Sequence, residues 1–464
     1  MRALALSGLV FLAGCASFSP DGGFGDVGKA VSQRGAGEAT WIRTADEADS
    51  AATRVKELLV QPLSAEAAVQ IAMLNNRGLQ ARYAELGIAE ADLVQASRWS
   101  GPKLSFARLT RGDEIEREAS VFFDVLGLIS IPLSTRAQEE RFAGARHRAA
   151  EDTLRLALDT RKAWLQAVAA QQAAKYLEDV QLAAQASAEL ARRMAEVGNW
   201  PRLTRDREQA FYADATARLA RARQAEVAVR ERLTRLMGLW GEDIAYSLPA
   251  RLPELPQAAR EGGALEAVAL RQRLDVQAAR RDAEGLAQSL GLTKVTRYVD
   301  LLEVGALRST ETGQPVKRGW EVELRVPIFD FGGARAARSE YLYRQAVDRA
   351  ADTAVRARSE VREAYGAYRT AFDLARHYRD EIVPLRKRIS GQMLLRYNGM
   401  LSSVFELLAD SRDAVASVNA YLEAQRDFWM ADIELQMALT TGSPGATATP
   451  MKAAMPAAPA GGGH

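Results

Sequence analysis

Few side chains in this chain have the type and spacing that chemistry requires. The 464 residues include one cysteine, Cys15, and three histidines, His147, His377 and His464. A disulfide within the chain is therefore excluded, and a His/Cys metal cage nearly so. His147 and His377 each stand alone on a helical stretch and read as surface residues. Met451, Met455 and His464 offer soft ligands of the kind that hold Cu(I), but they are scattered through an Ala/Pro/Gly tail, and no metal site is assigned to them. No Ser-His-Asp, Cys-His, Walker or paired-carboxylate pattern occurs, so no catalytic residue and no cofactor are expected. The charges nearly balance, 61 basic against 59 acidic, leaving no clustered basic footprint for nucleic acid.

Cys15 is the one residue poised for covalent chemistry. It follows Met1, Arg2 and the apolar run 3–13, in the local order Leu12-Ala13-Gly14-Cys15. A charged start, an apolar core and small residues ahead of a cleavage point describe a secretory signal, 1–14. The frame resembles a bacterial lipobox, which implies lipidation of Cys15; several acyl chains at about 0.8 kcal/mol per buried CH₂ anchor a protein stably. Ala16 follows rather than Asp, which by resemblance to Gram-negative lipoproteins implies the outer membrane. An ordinary signal peptide with a chance cysteine is the simpler alternative. No segment carries 18 consecutive apolar residues, so no transmembrane helix is expected.

The remaining candidates are conformational, and the helices they interrupt must position them. Ser134–Val197 and Phe331–Tyr397 are rich in Ala, Arg, Glu, Gln and Leu, all strong helix formers. Helices that long span roughly 95 to 100 Å, too long to bury in one globular domain. They predict coiled-coil hairpins. Gly198-Asn199-Trp200-Pro201 breaks the first, and a return helix runs to about Leu239. Asn398-Gly399, followed by Met400-Leu401, breaks the second, and Val404–Thr440 returns. The Gly and Asn residues are expected to turn the chain with positive φ, and Trp200, Pro201, Met400 and Leu401 expose apolar surface there. Pro384 is expected to kink or interrupt the second rod.

Ahead of each rod the pattern is the same. A helix from Pro62, with Ser64 as N-cap, runs to about Trp99, and its counterpart covers about 264–290. Strand-like runs follow at Lys103–Arg111 and Ser120–Ile131 around the charged turn Gly112–Glu118. The second pair is Val295–Leu307 and Gly319–Ile328, joined by Arg308–Arg318. An offset of about 195 to 200 residues recurs throughout, which predicts an internal duplication. The expected divisions are a tether at 15–60, extended and lipidated; a first repeat at 61–250; a linker at 251–262 marked by Pro253 and Pro256; a second repeat at 263–442; and a disordered tail at 443–464.

Trp320, Val322, Leu324, Val326 and Ile328 alternate with Glu321, Glu323 and Arg325, the pattern of a half-buried strand. Such strands have the reach to cross a bilayer. Four cannot close a barrel, since even small barrels need about eight, and lipid does not tolerate open edges. Membrane-crossing strands would therefore require oligomerisation, with all helices on one side and both charged turns on the other.

The ordered set resembles the TolC family of outer membrane efflux proteins, lipoprotein branch, from about residue 60 to 442. Pro62–Leu93, with Ala67, Ala72, Asn75, Asn76 and Leu79, is similar to the family's opening helix. Val326-Pro327-Ile328-Phe329-Asp330-Phe331-Gly332-Gly333 is similar to its strand-to-helix joint, and Tyr397-Asn398-Gly399 with Leu407 to its tip. The resemblance implies a mostly α chain with four transmembrane β-strands. Three copies build a β-barrel in the outer membrane and an α-barrel across the periplasm. It further implies a passive, gated exit channel that works with a periplasmic adaptor and an inner-membrane pump. Gly198, Asn199, Trp200, Pro201, Asn398, Gly399, Met400 and Leu401 would then dock the adaptor. Family members often carry Asp shortly after the tip Gly; here Phe405 and Leu408 stand at those positions, so the acidic-ring gate is not carried over. Asp206, Phe405, Glu406 and Asp410 are the aperture candidates. The alternative is a lipid-anchored periplasmic coiled-coil scaffold with small soluble sheets and no channel.

Overall fold

A computed structural model describes residues 17–442. The signal segment 1–14, Cys15, the tail 443–464 and with it Met451, Met455 and His464 lie outside the described residues.

The chain enters through two helices rather than the expected extended tether. These are α1 (Phe24–Ser32) and α2 (Ala45–Leu59). Val27 and Val31, four residues apart, are buried, as are Ala51 and Val55, so each short helix lays one apolar stripe on the core. Thr44 and Glu47 close a reciprocal capping box at the start of α2. The Gly- and Ser-rich composition conceals these single i, i+4 pairs, which is why the segment reads as a linker.

The expected first helix is two, α3 (Ala65–Asn75) and α4 (Arg77–Ala96). Asn76 breaks out of helical geometry at ψ 107° and caps α4 by accepting from the Leu79 N–H. Strands β1 (Lys103–Arg111) and β2 (Glu114–Asp124) follow. The turn is only Gly112-Asp113, with Gly112 at φ 60°, so the stretch expected as a charged turn is the first half of β2. Val125–Ile131, expected as strand, opens α5 (Val125–Glu196), a helix of 72 residues and roughly 108 Å. Asp124 accepts from the Gly127 N–H at 2.7 Å, and this cap starts the helix nine residues earlier than the composition indicates. Pro132 is accommodated inside it. α6 (Arg202–Met237) returns.

The second half has the same order. α7 (Leu265–Gln272) and α8 (Leu274–Thr296) break at Arg273, β3 (Leu301–Glu311) and β4 (Lys317–Arg325) form a hairpin, and α9 (Gly333–His377) starts the rod. A single π turn at Tyr378–Ile382 leads into α10 (Val383–Asn398), with Pro384 in its first turn. Pro384 has no N–H to give to a carbonyl one turn back, and the π turn sits at that place in an otherwise continuous helical backbone. α11 (Val404–Thr440) returns with the expected bounds, capped by Ser403 and Glu406. Asp330 does for α9 what Asp124 does for α5. Its carboxylate accepts from the Gly332 and Ala334 N–H groups and is held below the usual carboxylate range by them.

The four strands form one antiparallel sheet in the order β1-β2-β3-β4. The fold is therefore mostly α with a small β part. The core lies at mid-height, where the rods meet the short helices and the linker. Trp164 anchors it, donating its indole N–H to the Leu63 carbonyl at 2.7 Å among Val168, Leu233, Met237 and Ile433. Leu252 of the linker is buried there and Leu255 is buried in a second cluster with Tyr368, Phe372 and Phe428, so that segment packs on the rods instead of hanging free.

The two helix breaks do parallel work. Asn75 and Asn76 donate to the carbonyls of Met237, Gly238 and Leu236, which end α6. Arg273, 2 % exposed, donates to the Ala438 carbonyl near the end of α11 and pairs with Asp275 at 2.6 Å and Glu360 at 2.7 Å. Each break residue thus satisfies carbonyls that a helix terminus leaves open.

Candidate functional site

Register assigns every strand residue to one of two faces. On the first, Leu104 and Phe106 of β1 stand beside Ala119 and Val121 of β2. Val304 and Ala306 of β3 continue the row, opposite Val322 and Trp320 of β4, with Leu302 opposite Leu324. Leu104, Phe106, Val304, Val322 and Leu324 are exposed, and Trp320 to 80 %, while Ala119, Val121 and Leu302 are half-buried. The face carries no carboxylate. Its only charges are Arg108, Arg117, Arg308 and Arg318, all near the turn end of the sheet.

The second face is polar. Glu114, Glu116, Glu118 and Asp124 of β2 lie with Glu303 and Glu311 of β3 and Glu321 and Glu323 of β4. The cations Lys103, Arg111, Lys317 and Arg325 are outnumbered by them. Lys103 meets Glu303 at 3.3 Å and Glu323 at 3.9 Å, Lys317 meets Glu311 at 3.1 Å, and Ser309 donates to Glu116 at 2.9 Å. An apolar face and an acidic, wetted face on one sheet is the division seen between lipid and lumen in a membrane barrel.

At the far end of the rods lie the tips. Both are Schellman turns. In the first, Asn199 N–H donates to Met194 O at 2.9 Å and Gly198 N–H to Ala195 O at 3.1 Å, with Gly198 at φ 80°. In the second, Leu401 N–H donates to Arg396 O at 2.8 Å and Met400 N–H to Tyr397 O at 3.0 Å. Here the expectation for the tips needs correcting. Gly399 has φ −81° and Asn398 is the last helical residue; the left-handed residue is Met400 at φ 58°. The turn lies one residue later than the glycine, because α10 completes its final hydrogen bond at Gly399 N–H. Met400 is 94 % exposed and Leu401 73 %. Pro201 precedes the first residue of α6, in extended geometry.

The structure brings the two tips together. The Trp200 ring lies 5.4 Å from that of Phe405. The other aperture candidates separate. Glu406 is occupied in the Ser403 capping box and also accepts from the Ser402 hydroxyl, which hold its carboxyl below the usual range. Asp206 pairs with its neighbour Arg205 at 2.8 Å, and Asp410 is buried at 7 % exposure. A different pair joins the hairpins: Glu208 of α6, 4 % exposed, is ion-paired with Arg412 of α11 and accepts from Ser187 of α5 at 2.8 Å. They stand 204 positions apart in the chain, so no local signal could have paired them. Among the described residues no His/Cys/Asp/Glu group is arranged to hold a metal, and no helix is long and apolar enough to cross a membrane.

No protein-family model matches the chain, and no curated protein matches it by sequence. Solved structures do match its fold. A membrane protein from Pseudomonas aeruginosa is 18% identical, with a TM-score of 0.69 over 82% of this chain and 90% of that one. The Campylobacter jejuni CmeC outer membrane channel is 14% identical, with a TM-score of 0.67 over 89% of this chain and 92% of that one. The outer membrane protein VceC of Vibrio cholerae is 15% identical, with a TM-score of 0.64 over 85% of this chain and 97% of that one. The chain has the fold of these three proteins along nearly their whole length.

Proposed function

We propose that this chain is an outer-membrane channel of the TolC family, giving passive, gated exit to small molecules in a tripartite efflux or secretion system. The observation that carries the reading is the two-faced sheet with two open edges. An exposed apolar face in water costs about 25 cal/mol per Å², and lipid removes that cost. Lipid in turn forbids unpaired edges. The edge strands β1 and β4 run in opposite directions in this antiparallel order, so copies join edge to edge with antiparallel pairing. Three copies supply twelve strands, above the roughly eight a barrel needs.

The acidic face then lines the lumen, and the helices, all leaving the sheet at one end, occupy the periplasm. The tips, with Pro201, Met400 and Leu401 exposed and Trp200 half-buried against Phe405, beside Gly198, Asn199, Asn398 and Gly399, meet a periplasmic adaptor, through which an inner-membrane pump delivers cargo. The Trp200–Phe405 and Glu208–Arg412 contacts hold the hairpins together where the duct narrows. The repeated order of elements reflects duplication of one ancestral half. Cys15 carries the lipid anchor. No step in this reading involves bond chemistry.

Purification in detergent tests it. A trimer that loses its mobility on SDS gels only after boiling, and that gives discrete conductance steps in planar bilayers, is the expected result. A detergent-free monomer without conductance would instead establish the scaffold alternative.

A further inference from the structure

The apolar face of the sheet ends in a row of arginines without partners. Arg108 is paired in register with Arg117, and Arg308 with Arg318. Arg117 lies opposite Thr310, which puts Arg308 on its diagonal. Directly opposed residues have Cβ atoms about 5 Å apart and diagonal ones about 7 to 8 Å, so the four guanidiniums form one continuous band across all four strands. All four are exposed. Their side chains make no hydrogen bond or ion pair among the described residues, whereas Lys103 and Lys317 on the opposite face each meet a carboxylate. Like charges placed directly opposite destabilise a sheet. Two such pairs side by side, with no carboxylate on the face, call for an anion from outside the chain.

Position along the strands narrows the choice of anion. The row lies just beyond Phe106, Ala306 and Trp320, at the turn end, away from the helices. In a membrane barrel an arginine costs about 2 to 4 kcal/mol at the midplane and about 0 to 1 near the interface. Four together therefore mark the headgroup level of the leaflet distal to the helices. Guanidinium forks match phosphate oxygens in paired, charge-assisted contacts.

Resting on the channel reading, we infer that Arg108, Arg117, Arg308 and Arg318 form a lipid-phosphate binding band, which holds phosphomonoester headgroups of the distal leaflet against the outside of the barrel. The bound phosphates neutralise the opposed arginines and fix the depth at which the barrel sits.

The test uses the full chain in phosphatidylcholine vesicles with and without phosphatidic acid, whose headgroup is a phosphomonoester; phosphatidylglycerol serves as the charge-matched phosphodiester. Insertion is read by flotation and conductance, and retained lipid by native mass spectrometry after extraction. Wild type is expected to insert in every mixture and to retain phosphatidic acid selectively. R108Q/R117Q/R308Q/R318Q should insert and retain about tenfold less, the equivalent of one lost charge-assisted contact. K103Q/K317Q on the other face should match wild type. Equal retention by wild type and the quadruple variant, with insertion intact, overturns the band and leaves the channel standing: the arginines then merely reach water. Equal retention of phosphatidylglycerol overturns the phosphomonoester assignment. Should the quadruple variant fail to insert, R308Q/R318Q decides by the same comparison. Failure of wild type to insert in phosphatidylcholine removes the channel reading and the band together.

Discussion

Replacing Arg412 by Met strands a buried carboxylate. Glu208 is 5% exposed at its side chain and Arg412 35%, so the two partners do not lose equally when the pair is broken. Without Arg412, Glu208 keeps only the Ser187 hydroxyl. The cost of an uncompensated buried charge is about 3 to 5 kcal/mol, reduced here to about 2 to 3 because water already reaches the guanidinium side. Without the carboxylate, as in E208Q, Arg412 turns to solvent while its stack on Phe211, 4.7 Å away, persists. That cost is about 0.5 to 1 kcal/mol. The double variant E208Q/R412M removes the stranded charge and should resemble E208Q. The pair lies about 10 Å from the tips, six to eight residues into α6 and α11, so the readout should be local. Hydrogen exchange of amides 404–412 reports opening of that segment. R412M should speed it about 30- to 150-fold and E208Q less than tenfold, at about 1.4 kcal/mol per decade. Single-channel conductance should rise in the same order if the pair restrains the aperture. An E208Q effect equal to or larger than that of R412M, or additive losses in the double variant, would refute the reasoning.

Three further outcomes are expected. Met400→Gly should stabilise the second tip by about 1 kcal/mol, because a left-handed residue other than glycine is strained by about that much; slower exchange of amides 396–401 would register it. Burial pushes the Glu151 carboxyl up to about 7, despite Arg155 at 2.6 Å, with Asp275 and Asp152 adding to the rise. Its folded value lies above the unfolded one of 4.5, so the stability it contributes is full below about pH 4.5 and is lost as pH rises through about 7. Glu151→Gln should therefore gain on wild type with rising pH, by about 3 kcal/mol at about pH 8, seen as melting curves that converge in acid and separate in base. Finally, the excess of carboxylates on the polar face should favour cations in the pore. E118Q/E321Q should move the reversal potential in a potassium chloride gradient toward that of chloride, and no movement would place that face away from the conducting path.

The wrong expectations trace to particular residues. Strand β2 was displaced because Val121, Phe123 and Val125 continue an apolar alternation that Asp124 ends by capping a helix. That displacement assigns Arg117 to a turn, and placing Arg308–Arg318 in the other turn removes Arg308 and Arg318, so that only Arg108 stays on an expected strand. Alternation alone contains the arginines; only cross-strand register aligns them. Similarly, Gly399 attracts the turn in sequence, but the last helical hydrogen bond decides that Met400 takes it.

Local pattern by itself determined the helices, their two breaks, the sharp strands and their recurrence, because helix propensity, period-two alternation and glycine punctuation act over a few residues. It also placed Pro384 next to the turn where the second rod leaves α-helical geometry. Tertiary structure alone decided which faces of the strands coincide, that Arg273 serves in the second half where Asn76 serves in the first, and that Glu208 finds Arg412. Those are contacts between segments far apart in the chain, and their energies depend on burial and register, which no window of sequence contains.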